Sequence, residues 1–82
     1  MIRWQKGGEA DLVILVDDRI TLRSTVPSAP GSRPEGALAS GSPVKVKVAR
    51  CRREGEAFVI EGRLLDATRA VRQELLALLP SA

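Results

Sequence analysis

The sequence predicts a small, mostly β domain whose antiparallel strands run into a C-terminal α-helix. Apolar and polar side chains alternate with a period of two over residues 44–64, as they do in half-buried strands. After Asp66 the apolar residues recur about every 3.6 positions, which is typical of an amphipathic helix. The chain has 82 residues, the size of one domain, and a chain this short buries only about 60 % of its unfolded surface.

Three short strands are predicted in the first 25 residues. Residues 1–6 form an edge strand that the double glycine at 7–8 ends. Residues 10–16 are rich in β-branched side chains and too few for a helix, so they are predicted to form a buried strand. The Asp-Asp pair at 17–18 marks a turn, after which residues 19–25 return as a further strand.

Residues 27–43 are predicted to form a flexible loop without a strand. The segment holds four of the five prolines, three of the seven glycines and four serines, a composition that is typical of loops. A loop of this length in a compact domain has a function or is disordered. Because loop-closure entropy varies slowly with length, deletion of residues 29–40 is expected to leave stability nearly unchanged.

A β-hairpin is predicted over residues 44–64, with its turn at residues 53–56. The turn is polar, and Gly55 allows the positive φ that short hairpin turns need. Together with residues 19–25, this hairpin supplies most of the predicted inward face. The predicted inward side chains are Ile20, Leu22, Val44, Val46, Val48, Phe58, Ile60, Gly62 and Leu64.

The helix is predicted to begin after Asp66, whose carboxylate can accept hydrogen bonds from the amides of the first turn, and to end at Pro80. Its apolar stripe comprises Ala67, Ala70, Val71, Leu75, Leu78 and Leu79. Its polar side comprises Arg69, Arg72, Gln73 and Glu74. Leu76 widens the stripe, so it is either a further packing residue or a contact for a partner protein or a second copy.

The residue types exclude several classes of site. The chain has no histidine and a single cysteine, Cys51, so it cannot form a Cys/His zinc site, a Ser-His-Asp triad or a Cys-His pair. It also lacks a GxxxxGK[ST] loop and a GxGxxG turn. We therefore expect no catalytic residue, no metal site and no required cofactor. A lone cysteine and the lack of an apolar run of roughly 20 residues predict a cytoplasmic protein that does not insert into a membrane.

Basic side chains are concentrated in the second half of the chain. Residues 42–82 carry eight basic and five acidic side chains, which accounts for the whole net charge of +3. They include an uninterrupted basic set on the predicted hairpin: Lys45, Lys47, Arg50, Arg52 and Arg53. This set is either a solvated strand edge, which lysines protect from aggregation, or a surface that attracts phosphate or acidic groups.

A small nucleic-acid-binding barrel is the alternative function. Its basic ribbon could follow a phosphate backbone. Barrels that bind single strands also place stacking aromatic side chains beside their basic groups. Here Trp4 and Phe58 are the two aromatic residues, and both are predicted to lie in the core. Nucleic acid is therefore not the partner that we favour.

Residues 43–79 resemble the C-terminal part of PilZ domains, where two strands of the general form V.V.G.V.R and Y..G..F.D lead into a helix containing R..L...L. The matching positions here are Val46, Val48, Arg50, Phe58, Gly62, Leu65, Asp66, Arg72, Leu75, Leu76 and Leu79. The resemblance implies one PilZ-like domain over residues 1–82, a six-stranded antiparallel β-barrel with a C-terminal helix. It also implies a bacterial regulatory adaptor in cyclic di-GMP-linked control of motility, pili or the cell envelope.

PilZ domains that bind cyclic di-GMP carry an RxxxR arm before the barrel and a [DN]xSxxG loop at a strand end. The sequence RITLR, from Arg19 to Arg23, matches the first motif but lies within a predicted strand. The sequence VPSAPG has Ser28 and Gly31 at the spacing of the second motif, with Val26 in place of Asp or Asn. We therefore expect a dinucleotide site that is weakened or lost.

These patterns define two sets of candidate functional residues. Cyclic di-GMP is a candidate ligand, and its candidate contacts are Arg19, Arg23, Arg50, Arg52 and Arg53. A protein partner, such as a regulatory, motility or pilus component, has the candidate contacts Leu76, Lys45 and Lys47. Two hypotheses remain open: ligand binding through a remodelled arginine set, or loss of the site and action by protein contact, which we favour.

Overall fold

The computed structural model describes residues 1–78, which fold into six strands and one helix. In chain order these are β1 (Ile2–Trp4), β2 (Glu9–Val16), β3 (Arg19–Ser24), β4 (Glu35–Leu38), β5 (Pro43–Glu54), β6 (Ala57–Leu65) and α1 (Arg69–Leu78). The strands form a closed antiparallel barrel in the order β1-β2-β3-β6-β5-β4, and pairing of β1 with β4 closes the ring. This confirms the predicted fold class, a small antiparallel β-barrel with a C-terminal helix.

The prediction that residues 27–43 contain no strand is wrong, because β4 lies within them. Leu38 is buried in the core, and a Cβ added to Gly36 would lie 2.6 Å from the carbonyl oxygen of Arg3 on β1. The segment before β4 also bonds to β5, since the Val48 amide donates to the Ser32 carbonyl at 2.9 Å. Deletion of residues 29–40 would remove β4, so the expectation that it leaves stability nearly unchanged loses its structural basis.

β1 is not an edge strand, contrary to the prediction. It pairs with β2 on one side and with β4 on the other, where Ile2 lies opposite Leu38 and Trp4 lies opposite Gly36. The amide of Gln5 extends this pairing by donating to the Glu35 carbonyl at 2.9 Å. β4, which the sequence pattern did not predict, is therefore the strand that pairs with the second edge of β1.

The predicted inward faces of β3 and β5 are confirmed, and Trp4 is in the core, where its indole Nε1 donates to the buried Ser24 hydroxyl at 3.0 Å. Phe58 is only partly buried, so its assignment to the core is wrong. It lies opposite Ser24, the last residue of β3, near the rim of the barrel. The core residues are Ile2, Trp4, Ala10, Leu12, Leu15, Ile20, Leu22, Leu38, Val44, Val46, Val48, Ile60, Leu64, Val71 and Leu75.

β2 is buried on one face only, so the prediction of a wholly buried strand is also wrong. A bulge between Leu12 and Ile14 shifts the alternation of side chains by one residue. Leu12 and Leu15 consequently both face the core, whereas Val13, Ile14 and Val16 face outward with exposures of 45 %, 51 % and 58 %. β2 is the strand whose outer surface carries these three large apolar side chains.

The helix begins at Arg69, and Thr68 rather than Asp66 is its N-cap. The Thr68 hydroxyl accepts a hydrogen bond from the Val71 amide at 3.2 Å, which is the N-cap geometry. Asp66 instead has a φ of +48° in the connection from β6. Its conformation turns the chain toward the helix, so the predicted capping role of Asp66 is wrong.

The helix lies across one end of the barrel, between the β2–β3 and β4–β5 turns. Val71 and Leu75 are buried as predicted, whereas Ala70 and Leu78 are exposed, contrary to the predicted stripe. Leu79 and Pro80, which the sequence assigns to the stripe and to the helix end, lie outside the described residues. No helix within residues 1–78 has the length and apolar character needed to cross a membrane.

Two polar contacts hold the helix at the turns. The Arg72 guanidinium donates to the Asp17 carbonyl at 3.1 Å and forms an ion pair with the Asp18 carboxylate. On the other side, the carboxylate of Glu74 accepts hydrogen bonds from the hydroxyls of Ser40 and Ser42 at 2.5 and 2.8 Å. Arg72 and Glu74, which belong to the predicted polar side of the helix, therefore both contact turns of the barrel.

Candidate functional site

The outward side chains of β3, β6 and β5 form a basic surface, which we call the basic face. Strand pairing sets its geometry, since Arg63 on β6 lies opposite Arg19 on β3 and also opposite Lys47 on β5. All of its cationic side chains belong to exposed residues. The cations of the basic face are Arg19, Arg23, Lys45, Lys47, Arg50, Arg52 and Arg63.

Lys47, Arg63 and Arg19 lie side by side on three neighbouring strands, and we call these three residues the basic row. Within residues 1–78, none of them has an ion-pair partner. Like charges that lie directly opposite each other destabilise a sheet, so barrel stability does not explain the row. An anionic group bound across the row would remove this repulsion.

The other cations of the basic face have acidic neighbours. The guanidinium of Arg52 lies 3.7 Å from the Glu54 carboxylate on the same strand. Two further cations have a carboxylate residue directly opposite on the adjacent strand, and these pairs are Arg50–Glu61 and Arg23–Asp11. Within residues 1–78, the cations of the basic face with neither an ion pair nor a carboxylate residue directly opposite are therefore those of the basic row, at the end of the barrel that α1 covers.

Four of the five predicted ligand arginines lie on the basic face, and Arg53 does not. Arg53 lies opposite Phe58, on the other side of the β5–β6 hairpin, and its Nε donates to the Gly55 carbonyl at 3.1 Å. The bulge between Val48 and Arg50 also shifts the alternation along β5. A run that is continuous in sequence is thus divided between two surfaces, because side chains alternate along a strand.

The predicted partner-binding residues lie in three different environments. Lys45 forms an ion pair of 3.4 Å with Glu35 on the neighbouring β4. Lys47 belongs to the basic row, and Leu76 lies on α1 with 51 % of its surface exposed. Leu76 and Lys47 are therefore the two members of this set that remain open to a partner.

Arg63 is the residue of the basic row that the sequence analysis missed. The predicted alternation of β6 already turns its two neighbours, Gly62 and Leu64, inward and so turns Arg63 outward. Its position between Arg19 and Lys47 follows from the pairing of β6 with both β3 and β5. No local pattern reveals that pairing, because β3 is about 40 residues from β6 in the chain.

A groove of about 360 Å³ lies at the end of the barrel opposite α1, between the β1–β2 turn and the β3–β4 loop. The side chains that line it include Trp4, Lys6, Ser28 and Arg33, but not Arg19 or Arg23. The two sequence motifs of a dinucleotide site are therefore not brought together: RITLR lies on the outer surface of β3, and the VPSAPG loop borders the groove.

Four partly exposed apolar side chains lie at the α1 end of the molecule and on the adjacent strand. Among the strands, β2 makes the most extensive contact with α1. Leu76 lies one helical turn after Arg72, whose guanidinium reaches the β2–β3 turn, so it lies toward the β2 side of the helix. We call these residues the apolar patch: Val13, Ile14, Val16 and Leu76.

Side chains that could bind a metal ion do not cluster in the described part of the chain. Within residues 1–78, no three side chains of His, Cys, Asp or Glu lie close enough together to hold one metal ion. Hydrogen bonds from Ser40 and Ser42 lower the pKa of Glu74 below its ordinary value. This carboxylate holds α1 on the β4–β5 turn, which is a structural task.

Comparisons of the chain with protein-family models, curated proteins and solved structures found no match. The resemblance of residues 43–79 to PilZ domains therefore stays a prediction. The barrel and its basic face and apolar patch are the observations on which a function can be argued.

Proposed function

We propose that this protein is a non-catalytic regulatory adaptor, similar to PilZ domains, that acts by contact with another protein. The apolar patch is the observation that carries the proposal. Single exposed apolar side chains are common on proteins. Here three of them share the outer face of β2, and Leu76 lies on the helix packed beside that strand.

The architecture supports the PilZ-like part of the proposal. A six-stranded antiparallel barrel followed by a helix is the fold that the resemblance implies, and β5, β6 and α1 contain most of the residues that carry it. Because one fold hosts many functions, this agreement supports the family and not a particular partner. The proposal assigns the protein to the bacterial cytoplasm and to cyclic di-GMP-linked control of motility, pili or the envelope.

Separation of the two ligand motifs supports a dinucleotide site that is weakened or lost. Arg19 and Arg23 project from the outer surface of β3, whereas Ser28 lines the groove at the end opposite α1. Val26 also stands where ligand-binding PilZ domains have Asp or Asn. A guanosine dinucleotide would therefore meet only part of the polar groups that such a site uses.

Substitution of Leu76 tests the adaptor function. We expect Leu76→Glu to abolish the cellular phenotype of the protein, because a charge in an apolar contact opposes burial. It should also abolish crosslinks between the partner protein and a photoreactive residue placed at position 13. Leu78→Glu is the matched control, since Leu78 is 42 % exposed on the same helix but lies outside the apolar patch. Circular dichroism checks that both variants fold. Wild-type behaviour of Leu76→Glu would contradict the adaptor function.

Titration with cyclic di-GMP tests the ligand hypothesis. Trp4 lines the groove, so its fluorescence reports on a molecule bound there. We expect no saturable change in emission, and GMP serves as the control nucleotide. A saturable change with one stoichiometric end point would make dinucleotide binding, rather than protein contact alone, the function of the domain.

Nucleic-acid binding is the second candidate function, and the basic row is the observation that favours it. Against it, Trp4 lies in the core and Phe58 faces the same side of the sheet as the buried Ser24. The basic face consequently offers no aromatic ring on which a base could stack.

A further inference from the structure

We propose that the basic row, together with Val16 and Leu76, forms one docking surface for an acidic amphipathic helix of a protein partner. The inference rests on the proposed function and names the chemistry of the partner. The carboxylates of that helix would bind Arg19, Arg63 and Lys47. Its apolar residue would pack against Val16 and Leu76.

Strand register brings Val16 and the three cations of the basic row onto neighbouring positions of adjacent strands. Val16 on β2 lies opposite Arg19 on β3, and the basic row continues from Arg19 through Arg63 to Lys47. Four outward residues on four neighbouring strands therefore form a continuous series of one apolar residue and three cations, which follows the curved outer surface of the barrel. Neighbouring strands lie about 4.8 Å apart, so the series is about 14 Å long.

An α-helix lying across the strands matches this spacing. With a rise of about 1.5 Å per residue, positions i, i+3, i+7 and i+10 lie on one face at about 0, 4.5, 10.5 and 15 Å. A helix with a leucine at i and glutamates at the other three positions would present its side chains in the same order as Val16 and the three cations. Leu76, on the β2 side of α1, would extend the contact made by the leucine.

The charge distribution of the barrel favours an acidic partner at this place. In the described part of the chain, four cations outside the row form ion pairs with carboxylates, among them Lys45 with Glu35 at 3.4 Å and Arg72 with Asp18. Within residues 1–78 the basic row has none, and its members repel one another. Carboxylates bound to the row would form charge-assisted hydrogen bonds and relieve that repulsion.

Fluorescence anisotropy with a synthetic peptide tests the inference. The probe is a labelled, helix-forming 18-residue peptide with leucine at position 4 and glutamate at positions 7, 11 and 14. Its control has lysine in place of the three glutamates. We expect the intact chain to bind the glutamate peptide and not the lysine peptide, with an affinity that falls as salt is raised because exposed charge pairs are screened.

Peptide binding is compared between a variant with charge reversal on the basic row and a variant with charge reversal at the opposite end of the barrel. Arg19→Glu/Arg63→Glu is expected to weaken binding of the glutamate peptide at least about tenfold, because attraction becomes repulsion at two contacts. Lys6→Glu/Arg33→Glu makes the same change in net charge at the opposite end of the barrel and is expected to bind as wild type. Leu76→Glu is also expected to weaken binding of the glutamate peptide. Circular dichroism verifies the fold of each variant.

The outcomes separate the inference from the proposed function. Failure of the glutamate peptide to bind, or equal losses in the two double variants, overturns the inference. If Leu76→Glu abolishes the cellular phenotype while Arg19→Glu/Arg63→Glu is as active as wild type, the adaptor function stands and the acidic helix is overturned. Binding of single-stranded oligo(dT), or of vesicles containing anionic lipid, that depends on the row but not on Leu76 also overturns it.

Discussion

Gly62 is the glycine at which an added side chain would have the least room. It lies on β6 between Ile20 on β3 and Val48 on β5. A Cβ added there would overlap the carbonyl oxygen of Lys47, which belongs to the backbone and cannot rotate away. Glycine within a strand often marks such a close approach of another chain segment. The bulge in β5, between Val48 and Arg50, follows directly after this contact.

Replacement of Gly62 tests this packing. We expect Gly62→Ala to lower the free energy of unfolding by about 3 kcal/mol, the upper part of the usual range for overpacking, because β5 must move. Arg63→Ala is the control, since exposed substitutions usually change stability by less than about 0.5 kcal/mol. Urea denaturation measures both. Equal stability of Gly62→Ala and the parent would mean that β5 and β6 are not in close contact at this point.

Glu74 makes stability depend on pH. Hydrogen bonds from Ser40 and Ser42 lower the pKa of its carboxyl group in the folded chain below the ordinary value of 4.5. A pKa lowered by folding contributes stability above the unfolded-state pKa, and this contribution is lost as the pH falls through the folded-state pKa. We expect Glu74→Gln to reduce the difference in urea midpoint between pH 7 and pH 3. Ser40→Ala/Ser42→Ala should reduce it likewise, and an unchanged difference in both variants would contradict this assignment.

The C-terminal helix differs from the sequence pattern in where it begins and in how much of its apolar side is buried. It begins three residues after Asp66, and two of its side chains, Val71 and Leu75, enter the core. Periodicity predicted a wider apolar stripe because it cannot tell how much of a helix the barrel end will cover. A barrel mouth is narrow, so the neighbouring Leu76 and Leu78 stay exposed.

The N-cap can be identified by mutation. We expect Thr68→Ala to lower the free energy of unfolding by about 1 kcal/mol, since the Val71 amide loses its hydroxyl acceptor. Asp66→Gly is expected to leave stability unchanged or raise it, because the φ of +48° at Asp66 suits glycine better than aspartate. Thermal denaturation of both variants provides the measurement. A larger loss in Asp66→Gly than in Thr68→Ala would restore Asp66 as the cap.

Two adjacent leucines distinguish the core side of the helix from its exposed side. Leu75 is fully buried, so we expect Leu75→Ala to destabilise the protein by about 2–5 kcal/mol through loss of burial and formation of a cavity. Leu76→Ala is the matched control and should change stability by less than about 0.5 kcal/mol. Urea denaturation is the measurement. Similar losses for the two substitutions would mean that Leu76 also packs on the barrel.

At the scale of the whole molecule, closure of the barrel depends on the short strand β4. β4 joins β1 to β5, so its four residues supply pairing to two neighbours. Without it, the backbone groups of β1 and β5 would lie at open edges and the core would be exposed on one side. Proline and glycine on either side of β4 masked it in the sequence, and four residues are too few for a clear alternation.

Deletion of β4 tests the importance of closure. We expect a chain lacking residues 35–38 to lose cooperative unfolding, because the ring can no longer close. Insertion of Gly-Ser between Ser28 and Ala29 is the control, and it should cost well under about 1 kcal/mol because loop length affects closure entropy weakly. Thermal scans by circular dichroism compare the two. A cooperative transition in the deletion variant would show that the barrel does not need β4.

Sequence alone predicted the local features of the basic face but not its arrangement. The alternation of β5 turned Lys45 and Lys47 outward, and Arg19 and Arg23 share the outer face of β3, as their spacing requires. Arg53 was misassigned because the bulge in β5 interrupts the simple period. Arg63 was overlooked because an isolated arginine in a strand gives no sign of its neighbours.

The sequence by itself determined which side chains face the core over most of β3, β5 and β6, because alternation follows from the backbone geometry of a single strand. It also placed Val71 and Leu75 on the apolar side of the helix, within a stripe wider than the one that is buried. Only the tertiary structure decided that β4 exists, that β1 is covered, and that Lys47, Arg63 and Arg19 form one row. These features arise from pairing between distant segments, where each strand must find hydrogen-bond partners on both sides for the ring to close.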